Sequence, residues 1–116
     1  MSGDAGDISV KKDAGPGVVV VSPTGEVDMS RSPALRETLR AVNDEKPNRL
    51  VVDLETVSYM DSSGLATLVE SMRTAKGNGT QMVLAGMNQR VRAIFEIARL
   101  DQFFSIVDTV DAALSE

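Results

Sequence analysis

The sequence predicts an α/β fold: a mixed, mostly parallel sheet of about four to five strands packed with about four helices. Three observations carry that prediction. Val18-Val19-Val20-Val21 and Leu50-Val51-Val52-Asp53-Leu54 are apolar runs without polar alternation, the pattern of strands buried on both faces. Between such runs lie stretches whose apolar residues recur at helical spacing. The two kinds alternate, which implies βαβ units with parallel strands and right-handed crossovers.

Each element has its own signal. Ile8–Lys12 alternates weakly and reads as an edge strand, and Ala14-Gly15-Pro16-Gly17 as a turn. Val18–Val21 is a strand that ends by Thr24. Ser32-Pro33 predicts a helix start, with Ser32 as N-cap and Pro33 at the first helical position. Leu35, Leu39 and Val42 form that helix's apolar stripe, and Pro47 ends it. A strand over Arg49–Leu54 and a helix over Ser62–Lys76 follow, with Leu65, Leu68, Val69 and Met72 on one helical face and Gly77 as the stop. Gln81–Ala85 is a strand. Asn88 caps a helix through Ala98 that turns Val91, Ile94 and Phe95 inward. Phe104–Val107 is a short last strand, and Val110–Leu114 one or two helical turns. Asn78-Gly79-Thr80 matches a glycosylation sequon but reads as a turn.

Composition narrows the function classes. At 116 residues the chain reads as one domain, 1–116, with an ordered core over about 8–114 and a polar, acidic tail over 1–7. Cys is absent, which excludes disulfides, thiol nucleophiles and thiolate metal sites. His is absent too, removing the commonest general base and the commonest metal ligand. No metal or other cofactor is expected. The net charge of −5 argues against direct nucleic-acid binding, and Phe95, Phe103 and Phe104 read as core, not as base-stacking platforms. No apolar run approaches the roughly 18 residues of a membrane span, and the N-terminus is not a secretion signal. The expected setting is the cytoplasm, without membrane insertion.

Parallel strands place the segments after Thr24, Leu54 and Ala85 on one edge of the sheet, where open α/β sheets carry their sites. The loops Gly25–Arg31, Glu55–Asp61 and Gly86–Asn88 gather there, which makes Asp28 and Ser62 spatial neighbours. Asp61-Ser62-Ser63-Gly64 puts Ser62 at or beside a helix N-cap, where unpaired N–H groups and the positive dipole end would favour a phosphate. A serine there is also simply a good cap. Glu70, Arg73 and Thr74 lie on the other face of that helix and read as solvated.

Gly25-Glu26-Val27-Asp28 after one strand, and Val57-Ser58-Tyr59-Met60-Asp61-Ser62-Ser63-Gly64-Leu65-Ala66 after another, resemble the STAS domain of anti-sigma factor antagonists. The resemblance runs from about Ile8 to about Leu114. Ala66 departs from it, since many relatives carry glycine there. The resemblance implies that Ser62, directly after the aspartate, is phosphorylated by a partner kinase, in preference to Ser63. It implies a partner surface around Asp28, Asp61, Ser62, Ser63 and Gly64. It further implies an anti-sigma factor serine kinase as partner, release of a sigma factor on docking, and a phosphatase that restores the unmodified form.

Other functions fit less well. A STAS subunit of a scaffold or lipid-transport assembly, binding constitutively through the same edge, ranks second. A serine hydrolase lacks its base and a Gly-x-Ser-x-Gly elbow. Asp53 stands where a receiver's phosphoacceptor would, but the acidic metal pair and late lysine of a receiver are missing, so Asp53 is expected to end its strand or bond a loop N–H. No Gly-rich nucleotide cradle occurs, so the chain is expected to be a kinase's substrate and not an enzyme.

Overall fold

The computed structural model describes residues 7–115; of the tail expected over 1–7, all but Asp7 lies outside the described residues. The elements run β1 (Ile8–Lys11), β2 (Val18–Pro23), β3 (Gly25–Val27), α1 (Ser32–Asp44), β4 (Arg49–Asp53), β5 (Val57–Met60), α2 (Ser62–Asn78), β6 (Gln81–Ala85), α3 (Gln89–Ile97), β7 (Ser105–Val107) and α4 (Val110–Ser115). Five strands form one sheet in the order β1-β2-β4-β6-β7. β1 pairs antiparallel with β2, and the other neighbours are parallel.

The apolar runs are continuous because both faces of the central strands are covered. On one face Val19, Val21, Leu50, Val52, Met82 and Leu84 pack with Leu35, Leu39, Leu68 and Phe95 from α1, α2 and α3. On the other, Val20, Val51 and Val83 meet Ala113, Val110 and Leu114 of α4. Alternation along each strand sends successive valines to opposite layers. α1 and α2 are also tied by polar bonds: Asn43 Nδ2 donates to Ser71 Oγ (3.1 Å) inside the interface. Phe95 meets Phe104 edge to face at 5.7 Å.

Four expectations need correction. First, the segments expected as loops over Gly25–Arg31 and Glu55–Asp61 contain β3 and β5, which pair with each other as a separate two-stranded parallel sheet. Strands of three and four residues have no room for a periodic signal; they exist because they pair. Second, Ser32 is not a cap. It is the first residue of α1, Arg31 holds the cap position without a side-chain bond to the helix's first N–H groups, and Pro33 follows inside the first turn. Ser32 is drawn in because both its N–H and its hydroxyl donate to the Asp28 carbonyl (both 2.8 Å). Third, α2 runs past Gly77 to Asn78, and Gly79 (φ 76°) is the left-handed stop. The Thr80 N–H returning to the Ala75 carbonyl at 2.8 Å closes the end there. Fourth, Phe103 is 42% exposed, whereas Phe95 and Phe104 are core. Phe103 instead packs its ring against Phe104 (5.1 Å) from outside.

The two glycines of α2 should therefore respond oppositely to alanine. A Cβ at Gly77 meets nothing within 4 Å. Gly77→Ala should stabilise the fold by about 0.5–1 kcal/mol through helix propensity. Gly79→Ala should destabilise it by about 1–2 kcal/mol, because its backbone is left-handed. Urea unfolding of the two variants measures the pair; destabilisation by Gly77→Ala would return the helix end to Gly77.

Candidate functional site

The site is built on the β3–β5 pair. Val27 pairs with Met60, and the Asp61 N–H donates to the Val27 carbonyl (3.1 Å). Asp28 and Asp61 are each the first residue past their strand, so the pairing sets them side by side. Asp28 makes no hydrogen bond to Ser62; its neighbour across the edge is Asp61, whose charge acts on it.

Asp61, not Ser62, is the N-cap of α2. Its Oδ1 accepts the N–H groups of Ser63 (2.9 Å) and Gly64 (3.2 Å) and the Ser63 hydroxyl (2.6 Å). A carboxylate can take three donors at once where a serine hydroxyl would take fewer. The bond from Ser63 holds the Asp61 carboxyl below the usual carboxylate range, assisted by the Gly64, Ser63 and Met29 N–H groups and opposed by partial burial. Asp28 is lowered in the same way, first by the Ser30 hydroxyl (2.6 Å) and then by the Ser30 and Arg31 backbone, against partial burial and the Asp61 charge.

Ser63 is occupied in a second direction. Its Oγ lies 2.6 Å from Ser32 Oγ, so a hydrogen-bonded chain runs from Asp61 through Ser63 and Ser32 to the Asp28 carbonyl. With Asp61 ionised, Ser63 donates to the carboxylate, and the single Ser32 hydroxyl proton is shared between Ser63 Oγ and the Asp28 carbonyl. This chain fastens the N-terminus of α1 to that of α2. Gly64 is required for the same closeness: a Cβ there would come within 2.5 Å of Met60 Cγ and 3.1 Å of the Val27 carbonyl. Arg31 straps β3 from the other side, donating to the carbonyls of Glu26 (2.5 Å) and Thr24.

Ser62 is left over. It is the first residue of α2, it is exposed, and its hydroxyl has no hydrogen-bond partner among the described residues. It stands between two open concavities. One, of about 610 Å³, is lined by Met29, Pro33, Arg36 and Ala66; the other, of about 420 Å³, by Tyr59, Leu65, Ile94 and Ile97. Met29 is 75% exposed and Ile97 83%, an unusual outlay of apolar surface flanking one hydroxyl.

The structure thus brings Asp28, Asp61, Ser62, Ser63 and Gly64 to one edge but divides their duties: Asp61, Ser63 and Gly64 build the turn, and Ser62 faces out. Glu70 is not merely solvated, since it bridges Arg36 and Arg40 of α1 (3.2 and 2.7 Å). Asp53 ends β4, accepting the Glu55 N–H (3.0 Å) and the Ser22 hydroxyl (3.2 Å). Arg31 and Ser32 were missed as site residues. Ser32-Pro33 signalled a helix start, but a bond to a residue 31 positions away leaves no mark in the local pattern.

Comparison with known proteins places this geometry. The STAS domain family model matches residues 9–113. An anti-sigma-B factor antagonist of Staphylococcus aureus is 32% identical over 82 residues, covering 71% of this chain and 76% of its own. That of Listeria monocytogenes is 33% identical over 82 residues, covering 71% and 72%. The crystal structure of an anti-sigma factor antagonist from Mycobacterium paratuberculosis superposes with a TM-score of 0.85 at 30% identity, covering 94% of this chain and 91% of that one.

The capping network should be visible in the pH dependence of stability. Both carboxyls lie below their ordinary value in the folded chain. Their contribution is therefore complete above about pH 4, the unfolded Asp range, and is lost as pH falls through the lower folded values. The urea midpoint should fall between pH 5 and pH 2, and Asp61→Asn should flatten part of that fall while costing about 1 kcal/mol at neutral pH as a weakened cap. An unaltered pH profile in the variant would mean that Asp61 carries no ionisation-linked stability.

Proposed function

The chain belongs to the STAS domain family, and we propose that it is an anti-sigma factor antagonist switched by phosphorylation of Ser62. The relatives support the antagonist role. The observation that carries the switch is the division between the two adjacent serines: the Ser63 hydroxyl is held by Asp61 and Ser32 at 2.6 Å each, and the Ser62 hydroxyl is exposed and has no partner among the described residues.

Unmodified, the edge formed by Asp28, Asp61 and the first turn of α2 docks on an anti-sigma factor kinase, with Met29 and Ile97 supplying apolar contact on either side of Ser62. Docking displaces the sigma factor. The kinase then transfers the γ-phosphoryl group of its ATP to Ser62 Oγ; ADP leaves, and the hydroxyl proton passes to a base on the kinase. Asp61 is an unsuitable base, being committed to Ser63 and to two N–H groups. The phosphate adds about −1.5 to −2 charge beside Asp28 and Asp61. Ser62 precedes the buried turns of α2 and points outward, so the fold accommodates the group. A docked surface does not, because it must desolvate the phosphate or meet its charge. A penalty of about 3 kcal/mol weakens binding about a hundredfold. A phosphatase returns the active form. The chain itself acts as ligand and substrate, in a cytoplasmic setting.

The test uses the kinase captured by pull-down with the unmodified chain. Ser62→Ala should abolish phosphorylation, and Ser63→Ala should retain most of it at some loss of thermal stability, since only the latter breaks the bond to Ser32. Phosphate mapped to Ser63 in the unaltered protein would refute the assignment.

Ser62→Asp separates charge from size. It should bind the kinase more weakly than Ser62→Ala and recover affinity at higher salt, as screening acts on the solvent-reached part of the contact. Equal calorimetric affinity of the two variants at low salt would show that a single charge is not enough and that the phosphate's bulk and second charge decide.

A further inference from the structure

We infer that a phosphate on Ser62 is received by Arg36 of α1, which turns away from Glu70 to meet it. The inference rests on Ser62 as the phosphoacceptor and adds a residue to that switch. Arg36 lines the concavity that also contains Ser62, together with Met29, Pro33 and Ala66. Its Nε now lies 3.2 Å from Glu70 Oε1, in a pair 44% and 35% exposed. Glu70 is eight residues beyond Ser62 on α2, or about 12 Å along the axis. Ala66 lies midway on the same stripe. Its methyl group leaves the path across the helix open, so a pivot of the long Arg36 side chain exchanges one end of the stripe for the other.

The charges favour that exchange. An exposed ion pair of this kind is weak. A phosphate offers about two charges and three acceptor oxygens to the guanidinium fork. Glu70 is not left unpaired, because Arg40 Nε holds its Oε2 at 2.7 Å. Around Ser62 the nearby acidic groups are Asp61 and Asp28, which make a cation more necessary there. Arg31 is committed to the Thr24 and Glu26 carbonyls. Arg90 lies across the other concavity, 5.8 Å from the centre of the Tyr59 ring. Arg36 is thus the cation placed to answer. When it does so it covers the Met29–Ala66 concavity, and the docking edge changes shape as well as charge.

Phosphoserine incorporated at position 62 during translation tests this without any kinase. The pH titration of its 31P signal reads the phosphate's second ionisation. Arg36→Ala should raise that pKa by about one unit, as loss of a close cation does. Glu70→Gln should lower it, by freeing Arg36 from its competitor. Arg90→Ala should leave it unchanged. Identical titrations for the parent and Arg36→Ala, or a larger effect from Arg90→Ala, would overturn the inference, with circular dichroism confirming the fold of each. A kinase that fails to modify Ser62 would refute the phosphoacceptor reading and not this one, because the titration reports only what Arg36 does toward a phosphate already there.

Discussion

The pairing of β3 with β5 is the constraint on which the site depends. It rests on a short ladder and on the bond from Asp61 N–H to the Val27 carbonyl. By itself so small a sheet would not hold. It persists because Val27, Val57 and Met60 are buried in the main core and because Arg31 binds its outer carbonyls. In return it sets Asp28 beside Asp61 and draws the first turn of α2 close enough that position 64 has no room for a Cβ.

From this constraint follows the different fate of two chemically identical neighbours. Ser62 and Ser63 are consecutive residues about 100° apart on a helix, so one faces α1 and the other faces solvent. Ser63 is enclosed by the Asp61 carboxylate and by Ser32, and becomes part of the scaffold. Ser62 lies outside the enclosure, between the two concavities that expose Met29 and Ile97. The cap does not use the Ser62 hydroxyl, which has no partner among the described residues, so a change to that hydroxyl leaves the cap intact.

The α1–α2 surface extends the same logic. Glu70 carries two arginines where one would satisfy it, and one of those two, Arg36, lines the concavity beside Ser62. A redundant ion pair is a reservoir of charge that can be redirected without stranding a carboxylate.

Much of this was legible in the sequence. The valine runs could only be strands buried on both faces, and the helical stripes could only cover them, because apolar periodicity reflects burial directly. Parallel strands then placed Asp28 and Asp61-Ser62-Ser63-Gly64 on one edge, and family resemblance singled out Ser62. Tertiary structure decided the rest. Whether Asp61 or Ser62 caps α2 differs by one residue, and the sequence offers good capping side chains at both. The choice falls to Asp61 because the ladder to Val27 fixes its backbone in an extended form with the carboxylate over the Ser63 and Gly64 N–H groups. Ser32 and Arg31 act on partners that only the folded chain brings near, and the three-residue β3 exists only opposite β5. Local sequence sets which segments are buried and with what periodicity; bonds between distant residues depend on how those segments are stacked, and no local pattern records them.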